Sequence, residues 1–514
     1  EGLMWSDGTP LTAADSVYAF NLQADPDTPD TKFAIERTVS YLALDDVTVE
    51  WTGLPGYMDS TYFLNVWQPL PEHVWGQYTA TELVDAEVSS RTPLGWGPYV
   101  IDEWVTGEYV SMTKNPNYWR ADEGLPAFDK VIYRMVGENS NANIAALLAG
   151  ECDVVDQTSH LDDQSELLLE LQASGELTAT FVTGTVWEHV DFNTVGLEGS
   201  SEQVLAGALA DVRLRKAALY CMDRQAVVDT VMFGQSIVLD TYLPPEHPSF
   251  NPDVMHYDFD VDAGIALLEE IGWTDSDGDG VREYNGDGDI PQGMLLEFSL
   301  ETTNATQRQQ ATQILADSMS QCGFKINLNY YPSSEWFADG PDGKLFGRRF
   351  DLGQFAWLTG VQPPCDLYLG EGIPGPDDVC MNKTTGETFT MAVDEGAEEM
   401  PSCSDYVLDA TTGEYRMMVE GEDAANYTED KIVAAYPYGW GGWNETGWQD
   451  AEFETVCNMA LQALPGEPEY DEYHLKAQEI FAENLPVAPL YLRLKLAATR
   501  PDFCGFVMDP TANS

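Results

Sequence analysis

The chain has 514 residues, more than one ordinary hydrophobic core can organise and enough for two or three domains. A hydrophobic fraction of 44% with 14 tryptophans excludes a disordered chain, and no apolar run reaches membrane-spanning length. Against 24 basic residues stand 87 acidic ones, a formal charge of -63 that repels nucleic-acid phosphates and anionic membranes, so no nucleic acid is expected as a partner.

In chain order, a helix is predicted to begin between Leu11 and Asp15 with Thr12 as its cap, and a strand is predicted over Val47 to Trp51. PLPEHVW at 69–75 turns into a short helix. His73 within it has no second His or carboxylate at ligand spacing and is read as a packing or hydrogen-bonding residue. Strands are predicted at Tyr99 to Trp104, Tyr109 to Lys114 and Lys130 to Met135, then a helix at Ala142 to Ala149 stopped by Gly150, and a short strand at Asp153 to Val155. Such alternation signals an α/β lobe with a mixed sheet.

The stretch from Trp187 to Asp229 reads as a strand, a turn and a helix, and we take it as a hinge between two lobes. Thr194 to Ser201 supplies the turn residues, and Asp211 can cap the helix, with Leu214, Ala217, Ala218, Cys221 and Met222 on its apolar side and Arg213, Arg215 and Lys216 opposite. Beyond it VDAGIALLEEIGW, MLLEFSL, a helix over Gln307 to Gln321, FKINLNYY and FDLGQFAW build a second α/β unit. Residues 371–436 show weak periodicity and are expected to form an inserted subdomain or hairpin pair. The pattern then recovers as helices over Ala451 to Leu464 and Tyr470 to Glu483 and a strand over Ala488 to Lys495 that should return to the first lobe.

In DSDGDGVREYNGDGD, Asp275, Asp277 and Asp279 recur at every second position before Gly280, so a tight turn can aim three carboxylates at one point, as Ca²⁺ requires. The Val281 carbonyl and Glu283 could complete the shell of a structural ion. The twelfth position, where an EF-hand places a bidentate Glu, is Gly286, with Asp287 and Asp289 close by, and a solvated Asp/Gly turn is the alternative.

Eight cysteines show no CxxC spacing, which disfavours zinc and redox motifs. Cys221 and Cys152 are read as buried thiols. Cys380 with Cys403, bracketing the acidic insertion, and Cys365 with Cys457, flanking it, are the candidate bridges, with connectivity left open. No G-x-S-x-G, H-E-x-x-H, P-loop or Rossmann glycine pattern is present, so an enzyme is not expected.

The segments WSDGTPLTAADSVYAF (5–20), GPYVIDEW (97–104), NPNYWR (115–120), LLAGECDVV (147–155), DFN followed by DVRLRKAALYCMDR, GWTDSDGDGVRE (272–283), GWQDAEFE (447–454) and LPVAPLYLRLKLAATRP (485–501) occur in the order found in one family. The chain resembles the extracytoplasmic solute-binding proteins of ABC importers, family 5, the peptide and oligopeptide class. The resemblance implies a two-lobed periplasmic-binding-protein-like α/β fold (class II) with flanking helices, a monomer, an ABC permease as partner and an extracytoplasmic protein, periplasmic or held at the cell surface with a lipid anchor as one option. It implies N-terminal truncation, with the signal segment outside this chain. The expected parts are 1–92 as a small subdomain, 93–192 as the first lobe completed by 493–514, and 193–492 as the second lobe. An oligosaccharide receptor of the same fold and an extracellular hydrolase are the alternatives.

Aromatic faces stack on peptide planes or sugar rings, and Trp187, Trp357 and Tyr491 are the leading ligand contacts, although each suits a core equally well. Trp96, Trp440 and Trp443 are secondary. In peptide-binding relatives an Asp three residues after the Trp that matches Trp357 pairs with the ligand's α-ammonium; here that position is Gly360, and Gln354 stands where some oligopeptide binders carry Arg. Asp366 could swing in to replace the carboxylate, while Gln354 and Gln362 would line a neutral cleft suited to a sugar or a blocked peptide.

Overall fold

Thr12 stands just before the first helix, Ala13–Ala24, and its backbone N–H donates to Asp15 Oδ2 at 2.9 Å, the reciprocal half of a capping box. In this computed structural model every residue is described except 1, 31, 57–60, 138, 160, 162–163, 197–206, 392–401, 420–425, 429 and 512–514. The chain divides into two compact units, Glu1–Asn143 and Ile144–Ser514.

In the first unit the opening helix packs on an antiparallel hairpin of β1 (Thr38–Asp45) and β2 (Thr48–Gly53). Tyr41 is buried at its centre, edge-on to Trp67 at 4.7 Å, with its hydroxyl 2.8 Å from Ser16 Oγ. His73, read from sequence as a packing or hydrogen-bonding residue, takes the second role: it is exposed, its Nε2 lies 2.9 Å from Asp7 Oδ2, and its ring is near Trp5. Strands β3 (Tyr99–Val105), β4 (Tyr109–Lys114) and β5 (Lys130–Arg134) form an antiparallel meander.

The second unit is built on a six-stranded mixed sheet. Its strands are β6 (Val154–Val155), β7 (Thr178–Phe192), β10 (Glu297–Thr303), β11 (Lys325–Tyr331), β12 (Leu352–Leu358) and β18 (Val487–Thr499), in the order β11-β10-β12-β7-β18-β6. Two-residue strands β8 (Trp273–Thr274) and β9 (Glu283–Tyr284) pair outside it. β10 runs parallel to β11 and β12, and the helix Thr306–Ser320 makes the crossover that a parallel pair requires. β7 is antiparallel to both neighbours. Strand alternation puts Trp187, His189 and Asp191 on one face of β7 and Glu188, Val190 and Phe192 on the other. All six are at most 1% exposed, so polar residues in this run do not mark a solvent face.

Around the helix Val212–Cys221 the structure corrects two expectations. Asp211 does cap it, accepting from Arg213 N, but Arg215 is buried and not on a polar face. Its guanidinium donates to the carbonyls of Leu209, Ala210, Asn484 and Leu485, where the helix Pro468–Asn484 ends and its last carbonyls need donors. Cys221, read as a buried thiol, is bonded to Cys322 with Cα atoms 6.1 Å apart. Gly264 makes room for the bridge, since a Cβ there would lie 2.3 Å from Cys221 Sγ. Cys365–Cys457 and Cys380–Cys403 are also bonded, while Cys152 and Cys504 stand outside the three bridges.

Within 371–436 the described residues form a three-stranded sheet of β13 (Val379–Asn382), β14 (Thr388–Thr390) and β17 (Ile432–Ala434), and a hairpin of β15 (Tyr406–Leu408) and β16 (Tyr415–Met417). Cys380, Met391, Cys403, Tyr406 and Ile432 give this segment a small core of its own, and Phe389 stacks on Tyr415 at 4.1 Å. Among the described residues no helix is long and apolar enough to cross a membrane.

Candidate functional site

Where β12 ends and the first half of β7 passes beside it, the second unit holds a cavity of about 720 Å³. β7 contributes Phe181 to Thr185, the loop after Leu243 contributes Pro244 and Glu246 to Pro248, and the end of β12 with its loop contributes Leu358 to Val361; Gln235, Pro510 and Thr511 close it. The walls are mostly apolar, with threonine hydroxyls, one amide and His247 as polar groups. Among the described residues that line it, Glu246 is the one carboxylate and there is no Lys or Arg. A cavity of this size and makeup takes a small solute through apolar contact and a few oriented hydrogen bonds. A hollow of about 770 Å³ on the first unit, walled by Asp85, Glu87, Arg91 and Trp104, is occupied at one side by Arg91 lying over the Trp104 ring.

Of the residues named from sequence, Gly360 lines this cavity, and a Cβ there would meet nothing within 4 Å. Trp357 is half-buried on the edge of Phe355, and Gln362 and Asp366 are half-buried outside the lining. Burial pushes the Asp366 carboxyl up, and its backbone carbonyl accepts from Trp443 Nε1 at 2.9 Å. Trp187, Gln354 and Tyr491 are corrections: each is 0% exposed and offers no surface to a solute. Trp187 packs with Phe453, Phe481 and Leu492, and Tyr491 lies in the core on the opposite face of the sheet. Both were legible only as aromatics on strands, a pattern shared by core and site. Phe181 and His247 were missed because nothing in their local sequence distinguishes them; only the placement of β7 against the 244–248 loop brings them to one cavity.

Gln354 is held inside by a buried ionic cluster. Its amide donates to Glu188 Oε2 at 3.2 Å, Arg308 reaches Glu188 from the helix Thr306–Ser320 at 3.1 to 3.3 Å, and Arg493 donates through Nε at 2.7 Å. Burial raises the Glu188 carboxyl, but Arg493 and Arg308 together outweigh it and hold the group below the usual carboxylate range. The other face of β7 carries the opposite case. Asp191 is 1% exposed with His189 Nε2 at 3.2 Å, and Glu445, equally buried, has no hydrogen-bond partner on either carboxylate oxygen among the described residues. Burial raises both carboxyls, and the charge of Asp191 raises Glu445 further.

The acidic turn lies between β8 and β9. Carboxylate oxygens of Asp275, Asp277, Asp279 and Glu283 all come within 4.8 Å of one another. Asp275 accepts from the amides of Gly278 and Gly280, Asp279 accepts from Val281 N, and Glu283 accepts from Ser276 N and Oγ. Gly278 and Gly280 have φ of +79° and +93°, which bends the loop back so that alternate Asp residues face inward. Four oxygen donors of net negative charge suit a hard divalent cation. Asp287 and Asp289 lie outside the group.

The second unit is thus a mixed sheet flanked by helices with a solute-sized, mostly apolar cavity beside its central strands. Residues 1–370 match the bacterial extracellular solute-binding proteins, family 5 (middle region), and the chain belongs to that family. It is 24% identical over 350 residues to the oligopeptide-binding protein AppA of Bacillus subtilis, covering 66% of this chain and 58% of that one. To the nickel-binding periplasmic protein of Escherichia coli it is 26% identical over 306 residues, covering 58% of this chain and 54% of that one. The chain thus spans little more than half the length of these relatives. The solved structure of AppA from Bacillus subtilis in complex with a nonapeptide superposes with a TM-score of 0.55 and 18% identity, over 99% of this chain and 83% of that one. The fold is therefore the two-lobed mixed α/β fold of family 5.

Proposed function

We propose that the chain is the extracytoplasmic receptor of an ABC importer, which holds a peptide in the cavity beside β7 and β12 and delivers it unchanged to a membrane permease. The observation that carries this reading is the cavity itself: about 720 Å³, mostly apolar, and walled by Gly360 where a carboxylate would otherwise meet a free α-ammonium. The preferred peptide is therefore apolar and insensitive to blocking of its N-terminus. An oligosaccharide is disfavoured because Gln354, its expected amide contact, donates to Glu188 and no Trp is among the described residues that line the cavity. The fold serves binding, with 93–192 plus 493–514 and 193–492 as lobes that close on the solute, the long strands β7 and β18 carrying the connection. The protein acts as a monomer outside the cytoplasm, and Asp275, Asp277, Asp279, the Val281 carbonyl and Glu283 bind a structural Ca²⁺. The test is calorimetric titration with acetylated and free apolar peptides and with a nickel chelate. Binding of the peptides supports the reading; binding of the chelate alone, or cleavage of the peptide, refutes it.

A further inference from the structure

We propose that His247 is a positioning residue for the solute cavity: its neutral ring clasps the two loops that form one wall, and protonation of the ring opens the clasp. The inference rests on the cavity being the solute site, but the clasp can be observed without any solute.

His247 Nδ1 lies 3.1 Å from the Ser249 amide nitrogen, and Nε2 lies 3.2 Å from the Val361 carbonyl oxygen. An amide N–H only donates, so Nδ1 must offer its lone pair; a carbonyl only accepts, so Nε2 must carry the proton. Only the neutral Nε2–H tautomer meets both needs. In that form the ring ties the loop after β12, with Gly360 and Val361, to the loop that supplies Pro244 and Pro248, and all of them line the cavity. Adding a proton puts an N–H on Nδ1 facing the N–H of Ser249. One hydrogen bond becomes a donor–donor contact while Nε2–H still donates to Val361, so the clasp opens at its Ser249 end and the 247–249 loop is no longer tied through the ring to the 359–361 wall.

The surroundings favour the neutral ring. Burial lowers the His247 pKa, against the opposing pull of the Val361 and Gly360 carbonyls. From the helix Pro468–Asn484, His474 faces it, fully buried, with neither nitrogen hydrogen-bonded among the described residues and its own pKa lowered to about 4, so it brings no charge at neutral pH. On its own loop the neighbouring Glu246 is exposed, where water screens its attraction for an imidazolium. A histidine whose folded pKa is depressed contributes stability at and above its ordinary value, and that stability is lost as pH falls through the folded pKa. The clasp is thus closed at neutral pH and opens below the ordinary imidazole range of about 6.5.

The experiment is amide hydrogen exchange on the full chain at about pH 7 and about pH 4.5, corrected for intrinsic exchange, in wild type and in His247→Asn and His247→Phe. Asn keeps an acceptor for Ser249 but does not titrate. Wild type should lose protection at Ser249 and in the amides beside it on acidification, His247→Asn should keep Ser249 protected at both pH values, and His247→Phe should protect it at neither. Wild-type protection that ignores pH, or an Asn variant that follows the wild-type profile, overturns the clasp. In parallel, acetyl-trileucine amide serves as the probe: its affinity should fall about tenfold or more on acidification in wild type and change far less in His247→Asn. A clasp that opens while probe affinity stays constant overturns the positioning role. Failure of the probe to bind at either pH, with the exchange result as expected, overturns the assignment of the cavity and leaves the clasp standing.

Discussion

Arg493 on β18 donates through Nε to Glu188 Oε1 on β7 at 2.7 Å, joining the two longest strands of the sheet at a carboxylate that has no exposure to water. Arg308 reaches the same carboxylate from a helix, and its guanidinium is nearly as buried. Removing the shared anion leaves that cation buried without a counter-charge. Glu188→Ala should therefore lose about 3–5 kcal/mol in urea denaturation. A loss below about 1 kcal/mol would mean that the arginines reach other acceptors. Because the folded pKa of Glu188 is depressed, its contribution is present above the unfolded carboxylate value and disappears as pH falls through the folded one, so the difference between variant and wild type should shrink in acid.

Glu445 should behave in the opposite sense. Its carboxyl is raised in the folded state by burial and then by Asp191, so the folded protein holds a proton that the unfolded chain releases. Stability is lost as pH rises from the unfolded value of about 4.3 toward the folded one. Glu445→Gln should be more stable than wild type at neutral pH, and the gain should vanish below about pH 4. Melting temperatures across that range decide it; a variant less stable than wild type at neutral pH would show that the carboxylate is ionised and paired.

For the turn between β8 and β9, calcium chloride should raise the melting temperature of the wild-type chain, and Asp277→Asn should abolish the shift. A tenfold excess of ligand over its dissociation constant stabilises by about 1.4 kcal/mol, enough to detect. Equal response to magnesium and calcium would indicate screening of the acidic surface, because a site that binds through several carboxylates at longer distances prefers calcium.

Gly360→Asp should fold normally, since a Cβ at this position would meet nothing within 4 Å. A carboxylate placed at this lining position should create a preference for a free N-terminal amine over the acetylated peptide of about tenfold, through a charge-assisted hydrogen bond. The wild-type chain should show little such preference. Equal affinities for both peptides in the variant would mean that the peptide N-terminus lies elsewhere.

The lengths of the elements were legible wherever one periodicity dominated. The helices Ala13–Ala24, Thr306–Ser320 and Ala451–Gln462 fall within a few residues of their predicted bounds, because capping residues and 3.6-residue repeats are local signals. β7 is longer than the predicted strand because the Thr and Val residues from Thr178 continue the extended chain against β18, a partner some 300 residues away in the sequence. Arg215 and Cys221 were misjudged for the same reason. A buried arginine is recognisable only when the carbonyls of Asn484 and Leu485 are placed beside it, and a disulfide only when Cys322 is. The candidate site followed suit. Gly360 could be picked out by its position after β12, whereas Trp187 and Tyr491, equally aromatic and equally placed on strands, turned inward.

The central claim is that this chain retains a peptide without altering it, and the most direct measurement is mass analysis of what it retains. The full chain is incubated with a mixed library of short peptides, freed of unbound material by rapid gel filtration, denatured, and its released contents weighed. We predict one peptide per chain, enriched in apolar side chains, indifferent to N-terminal acetylation and of unchanged mass. Recovery of no peptide, or of hydrolysed fragments, would contradict the account.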